Sequence, residues 1–503
     1  MNARPSARSR AIAAALALSL LATVPAQAQI PTLGDTSEMN ASTERKLGER
    51  IARELYRDPD YIDDPILDEY VRGIWGRLLA AARTRGELTA ELDERFAWQV
   101  LLGKDRTINA FALPGGWLGL HLGLVSVTAS RDELASVLAH ELSHVTQRHV
   151  SRLMSQEKRQ APWVIGAMIL GALAATKNPE AANALVAGGQ ALAMQNQLNF
   201  SRDMEREADR IGYGVLTQAG FEAHGFVAMF DKLQQASRLN DNGSFPYLRT
   251  HPMTTERSAD MQARQQLAPR AAGAAAADLV HAMMVGRARV LSNPGVDVLR
   301  GYVADPDAAG PSTAAAPRQV SALYAAALAS ARLRDHPAAA RLAAKLSDLA
   351  RADADAARVA QLLAVEVALQ AGDPSKALAL ADAAATARPE LLLASQARVE
   401  RGRASEAAQR LQTWVALHPR DAQAWQLLAR AHAAQGQRLR AIRAEAEAQV
   451  AHLDYEAALD RFKAAQELAR RGATAGGDHI EASIIDTRAR QVESLLREQA
   501  LQR

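Results

Sequence analysis

Apolar residues recur at helical spacing along most of this chain, and the exceptions are short. Leu47, Ile51, Leu55, Ile66, Tyr70, Ile74 and Leu78 fit helices between Ser42 and Ala82, broken near Asp58-Pro59 and Asp64-Pro65. Residues 96–102 then read as a strand, Lys104-Asp105 as a turn, and residues 109–113 as a second strand. A third strand, 117–122, follows the breaker Pro114-Gly115-Gly116. Helical spacing returns over 132–149, where Leu134, Val137, Leu138, Leu142 and Val145 recur without Gly or Pro. A small sheet thus comes directly before one helix. A sheet edge can take an extended peptide as an added strand, and 109–113 is the candidate edge; the alternative is an internal strand with no substrate contact.

Residues 162–175 are strongly apolar but too short to span a bilayer before Lys177. They read as part of a buried helical hairpin; the functional alternatives are a flap over the cleft or a peripheral contact with the membrane surface. A charged helix starts near Arg202, and His251-Pro252 ends a loop that leads into another helix. After a helix over 279–300 the sequence loosens into Ala, Gly and Pro, which sets a linker at 301–319. Beyond it, Gly372, Gly402 and Gly436 stand 30 and 34 residues apart, each with an Ala five positions on. Pro389 and Pro419 fall seventeen after the first two. Paired helices at that period resemble tetratricopeptide repeats, whose stacked pairs form a concave surface for a partner chain.

The chain has 503 residues, which implies two or three domains. Aromatics are only 4 %, which favours close-packed helices, and a net charge of +3 gives no footing for nucleic acid. Cysteine is absent, so disulfides, thiol catalysis and thiolate-bound zinc are excluded. Residues 1–28 have the form of a cleaved export signal: Arg4, Arg8 and Arg10, an apolar run over 11–24, then Ala26-Gln27-Ala28. The expected location is the periplasm.

His140-Glu141-Leu142-Ser143-His144 lies inside the 132–149 helix. Residues four apart share a face, so His140 and His144 can turn two imidazoles toward one ion. Glu141 stands beside them to activate a water, which is the H-E-x-x-H pattern of zinc peptidases. His149 is five beyond His144 and falls off that face of a continuous helix. A catalytic zinc takes three protein ligands, and without cysteine the third must be His, Asp or Glu. The helix near Arg202 offers two same-face pairs, Asp203 with Glu207 and Glu205 with Asp209, and spacing does not choose between them. One carboxylate of a pair could ligate while the other holds an imidazole by its free N–H.

Together, His140-Glu-Leu-Ser-His144, Glu205-Arg-Glu-Ala-Asp209 and His251-Pro252 with Arg257 resemble the zinc metallopeptidases of the HtpX and prenyl-protease type. The resemblance covers residues 36–265, and Asn109-Ala-Phe-Ala-Leu-Pro-Gly-Gly116 resembles that family's strand before the metal helix. It implies a mainly α protein, with a zincin-like α+β peptidase domain over 36–300 and an α-solenoid of tetratricopeptide-like repeats over 320–503. It further implies one Zn2+ per subunit on His140, His144 and Glu205, with Glu141 as catalytic base. Asp209 assists, as a proton donor by analogy or, more simply in physical terms, by holding an imidazole. His251 has three readings: donor to the oxyanion, fourth ligand closing the site, or turn residue. The implied function is a periplasmic zinc metalloendopeptidase that degrades misassembled outer-membrane proteins and meets their assembly machinery through the repeats. The competing reading is a non-enzymatic repeat scaffold or chaperone with a structural or latent zinc site. Glu141 favours the enzyme, since a structural site needs a fourth ligand and no base.

Overall fold

Helix α1 (Ala41–Arg57) starts where the Asn40 side chain accepts from the Thr43 amide at 2.8 Å. Its end at Asp58 and the start of α2 (Pro65–Thr84) at Asp64 are the two breaks expected from the sequence. Asp64 accepts from Leu67 N at 2.9 Å, and Pro65 sits in the first turn, where a missing N–H costs nothing. These are parts of a computed structural model that describes residues 39–156, 202–238, 245–267, 278–292, 295–304, 316–471 and 479–500. The expected export signal and the apolar stretch 162–175 lie outside the described residues.

Between α1 and α2 a two-residue strand β1 (Tyr61–Ile62) is too short to show any alternation. After α3 (Ala90–Arg95) come β2 (Gln99–Gly103), β3 (Ala110–Leu113) and β4 (Trp117–His121), the three strands expected. The spatial order is β1-β2-β4-β3, with β2 and β4 parallel and the other two pairings antiparallel. β3 is therefore an outer strand. Its tight turn into β4 needs left-handed backbone at Gly115 and Gly116 (φ 72° and 83°), and a Cβ on Gly116 would stand 2.8 Å from that of Phe96.

Short α4 (Leu122–Val127) leads to α5 (Arg131–Thr146), the helix that carries the histidines. Ser130 caps it through Glu133 N at 3.2 Å, and Glu133 Oε2 reaches back to Ala129 N at 2.7 Å, a reciprocal cap. Every residue from Glu133 to Thr146 is buried, so α5 is a central helix. The expected helix over 132–149 is interrupted. Gln147 ends α5, Arg148 takes φ 53°, and α6 (His149–Gln156) starts in a new direction.

α7 (Arg202–Gln218) crosses α5 closely at Gly212, where a Cβ would sit 3.1 Å from Ala139 O. α8 (His224–Arg238), α9 (Tyr247–Thr250), α10 (Thr255–Leu267), α11 (Leu279–Ser292) and α12 (Val296–Ala304) complete this part.

The rest is helical: α13 (Ala316–Arg332), α14 (His336–Ala350), α15 (Ala354–Gln370), α16 (Pro374–Leu380) and α17 (Arg388–Glu400). α18 (Ala404–Leu417), α19 (Ala422–Ala434), α20 (Arg438–Ala451), α21 (Tyr455–Arg470) and α22 (His479–Ala500) follow. Gly372, Gly402 and Gly436 occupy left-handed turns between successive helices, at φ 71°, 80° and 71°. Arg334 and Leu453 take the same conformation in two further turns, at φ 65° and 61°. The second helix of the unit at Gly372 is shorter than the repeat pattern expects. It stops at Leu380, and Arg410 takes the freed carbonyls of Ala383 and Ala385 at 3.0 and 2.8 Å.

Helix occupies both ends of the expected linker at 301–319, as α12 runs to Ala304 and α13 starts at Ala316, and 305–315 lie outside the described residues. One continuous apolar core joins α13–α15 to α2 and α11. Arg287 adds a buried tie to Asp64 and Glu366 at 2.6 and 2.7 Å. Arg388 binds Asp63 and Asp421, each at 2.8 Å. Among the described residues no helix is long and apolar enough to cross a membrane.

Candidate metal centre

Two helices and one loop end meet at the histidines. His140 and His144 project from α5, Glu205 and Asp209 from α7, and His251 from the residue that ends α9. Nε2 of His140 and Nε2 of His144 face each other at 3.0 Å. Glu205 lies 3.4 Å from the first through Oε2 and 3.5 Å from the second through Oε1. His251 Nδ1 is 3.0 Å from Glu205 Oε1 and 3.4 Å from His140 Nε2, its ring stacked on Tyr247. Donor atoms of these four buried residues all fall within 4.8 Å of one another.

This arrangement fits a divalent cation on three counts. Donors held about 2.0–2.1 Å from a tetrahedral zinc stand roughly 3.3 Å apart, close to the separations here. Ring nitrogens with facing lone pairs need a positive centre between them. The third count is charge: Glu141, Glu205 and Asp209 are buried, and among the described residues one guanidinium, that of Arg257, is buried with them. With the imidazoles neutral, as metal ligands must be, the excess of two negative charges matches Zn2+ or a similar ion.

Of the two carboxylate pairs on α7, the structure turns Glu205 and Asp209 inward. Asp203 is exposed and pairs with Arg206 at 2.6 Å. Asp209 lies behind His140, its Oδ1 2.9 Å from Nδ1. Arg257 fixes Asp209 with two hydrogen bonds at 2.6 and 2.8 Å, and also donates to Pro252 O at 2.8 Å. The sequence motif marked Arg257 but gave it no task.

Glu141 is wholly buried. Its Oε2 accepts from the Ala112 amide on β3 at 2.9 Å, and its Oε1 lies 3.5 Å from His251 Nε2. Burial raises its pKa, with His251 and His140 opposing, as suits a proton acceptor. Burial works against charge on His140 too, yet Asp209 and Glu205 hold its pKa up at about 9. His144 moves the other way, well below the usual histidine value, through burial and the neighbouring His140. Glu205 stays well below the usual carboxylate range despite burial, because His251 and His140 face it.

His149, read from spacing as off the metal face, is not one of the four donors, yet it is buried against His144. The left-handed Arg148 turns the chain so that His149 comes back beside His144, with Nδ1 atoms 2.8 Å apart. No periodicity signals such a turn. Burial pushes its pKa down to about 4, with Glu207 opposing.

Residues 80–265 match the model of peptidase family M48. The β-barrel assembly-enhancing protease of Yersinia pestis is 35 % identical over 246 residues, 48 % of this chain and 48 % of that one. The protein of the same name from Escherichia coli K12 is 33 % identical over 241 residues, 47 % of each chain. The mitochondrial metalloendopeptidase OMA1 of Arabidopsis thaliana is 32 % identical over 165 residues, 33 % of this chain and 31 % of its own. The aligned stretch spans about half the length of the bacterial relatives it matches.

Proposed function

We propose that this chain is a zinc-dependent endopeptidase of the bacterial envelope, acting on polypeptides at the site built by α5, α7 and the outer strand β3. The observation that carries this reading is Glu141: a buried carboxylate beside a set of His and Glu donors, hydrogen-bonded to an amide of a sheet edge. His140, His144 and Glu205 would hold the ion. Bound zinc supplies a Lewis acid that polarises a peptide carbonyl and acidifies water. Glu141 accepts the proton of the attacking water and returns it to the departing amine nitrogen. Asp209, pinned by Arg257, orients His140 through its back nitrogen. The outer position of β3 lets an extended substrate lie alongside it, its backbone paired as an added strand.

The substrate class is proposed from the bacterial relatives, which are named for enhancing β-barrel assembly. Outer-membrane proteins that fail to assemble are the expected substrates, and the assembly machinery is the expected partner of the helical repeats over 320–503. The export-signal form of residues 1–28 agrees with a periplasmic location.

A second reading, a latent or structural site, has one observation in its favour. His251 stands within 3.0 Å of Glu205 Oε1 and completes a four-donor set. The test is Glu141→Gln in the full chain, with zinc content and casein cleavage measured together. Zinc should be retained and cleavage lost; cleavage that survives with zinc bound overturns the mechanism. His251→Ala separates the latent form, since opening the fourth position should raise cleavage.

A further inference from the structure

Behind the second histidine of α5 a chain of hydrogen bonds runs outward to α7. The Nδ1 atoms of His144 and His149 stand 2.8 Å apart. His149 Nε2 is 3.2 Å from Glu207 Oε2, and Arg152 donates to the same oxygen at 2.8 Å. For a neutral His149, the donor and acceptor roles along this chain are fixed from its Glu207 end. Glu207, ion-paired with Arg152, can only accept, so His149 presents its N–H at Nε2. A neutral His149 then offers His144 the lone pair of Nδ1, and His144 must carry its own proton on Nδ1. That leaves Nε2 of His144 bare, and Nε2 is the atom 3.0 Å from His140 Nε2 and 3.5 Å from Glu205 Oε1.

We propose that His149, anchored by Glu207 and Arg152, is a positioning residue that sets the tautomer and ring orientation of His144 for metal binding. The proposal rests on the reading of His144 as a ligand. His140 supplies the parallel: its Nδ1 is 2.9 Å from Asp209, and Arg257 holds Asp209 in turn. Each imidazole is braced from behind by a carboxylate of α7 that an arginine fixes. For His140 the link is direct; for His144 it passes through an inserted imidazole. Such outer partners typically change metal affinity or activity about 10- to 100-fold.

A core histidine that only fills space would occupy the same position, so the test must separate the two roles. Full-length wild type, H149F, H149N and E207L are compared for zinc retention against a competing chelator and for the visible spectrum of the Co2+-substituted protein. Melting of the metal-free forms reports folding. Zinc affinity should fall about 10- to 100-fold in H149F and by a smaller factor in E207L, whose partly exposed site leaves metal-free melting unchanged. H149N should recover part of the loss, because its Oδ1 can accept from His144 Nδ1. The Co2+ bands should shift in both H149F and E207L. The proposal is overturned if E207L, which removes the acceptor that E207Q would retain, matches wild type in zinc affinity and spectrum, or if H149N recovers nothing relative to an equally folded H149F. H144A is the reference for the underlying reading: if it holds zinc as tightly as wild type, that reading falls and the positioning role with it. Should H149F fail to fold, E207L decides in its place.

Discussion

Glu141 Oε2 accepts from the backbone N–H of Ala112 at 2.9 Å, which ties the proposed base to the outer strand that substrate would pair with. The bond is made by whichever acceptor stands at position 141. Glutamine keeps such an oxygen and leucine does not. With metal removed, Glu141→Leu should therefore be less stable than Glu141→Gln by about 1–2 kcal/mol, the cost of an unpaired amide in a partly buried setting. Urea denaturation of the two metal-free variants measures the difference. Equal stabilities would mean that the amide finds another acceptor and that the bond does not fix β3.

Gly212 sets the distance between α5, which carries His140, and α7, which carries Glu205. A Cβ there meets Ala139 O and His140 N, each at 3.1 Å, so both neighbours are backbone and neither can rotate away. Gly212→Ala adds helix propensity worth about 1 kcal/mol, which offsets some of the crowding. Gly212→Val adds two more methyl groups and should push α7 outward. Glu205 lies two turns earlier on the same helix, so zinc affinity in the valine variant should fall by about tenfold, the lower end for displaced ligand supports. Chelator competition reads this directly. Unchanged affinity would show that α7 tolerates the shift.

The part of the site that was legible from sequence is the part that one helix carries by itself. Spacing of four places His140 with His144 and Glu205 with Asp209 whatever the tertiary fold does. Spacing did not choose Glu205 and Asp209 over Asp203 and Glu207; the family resemblance named the first pair, and the crossing of α7 on α5 turns that pair inward. Ala112 takes part through its amide, so its side chain carries no signal. The contact of His149 with His144 could not be read from spacing, because a left-handed Arg148 breaks the helical count. The fold shows the same division. Three strands and the paired helices follow from pattern, whereas β1 is only two residues long. The turns at Arg334 and Leu453 lack the glycine on which the repeat reading was built.

Arg334 makes the last point measurable. It is exposed and holds φ 65° in a turn where three sister positions have glycine. A left-handed non-glycine residue costs roughly 1–2 kcal/mol, and glycine gives back part of that gain through its looser unfolded state. Arg334→Gly should therefore stabilise the protein by about 0.5–1 kcal/mol, seen as a higher melting temperature. A lower melting temperature would mean that the arginine side chain contributes more than its backbone strain costs.

Asp63 gives the seam between α2 and the C-terminal helices a dependence on pH. It faces Arg388 at 2.8 Å, while Asp68 and Asp421 crowd the same guanidinium. Burial raises its pKa to about 6, against the lowering effect of Arg388. A carboxyl group whose pKa is higher folded than unfolded binds its proton more tightly in the folded state. Its contribution is fully present below the unfolded value near 3.8 and is lost as pH rises through about 6. With 22 % of the side chain still exposed, the swing is of the order of 1–3 kcal/mol. Asp63→Asn removes this titration and keeps an acceptor oxygen for Arg388. Wild type should therefore lose stability relative to the asparagine variant as pH is raised from 4 to 7. Urea denaturation of both proteins at intervals across that range, in the metal-free state, measures the difference. Parallel curves would mean that Arg388 holds Asp63 ionised throughout, so that the seam is insensitive to pH at this residue.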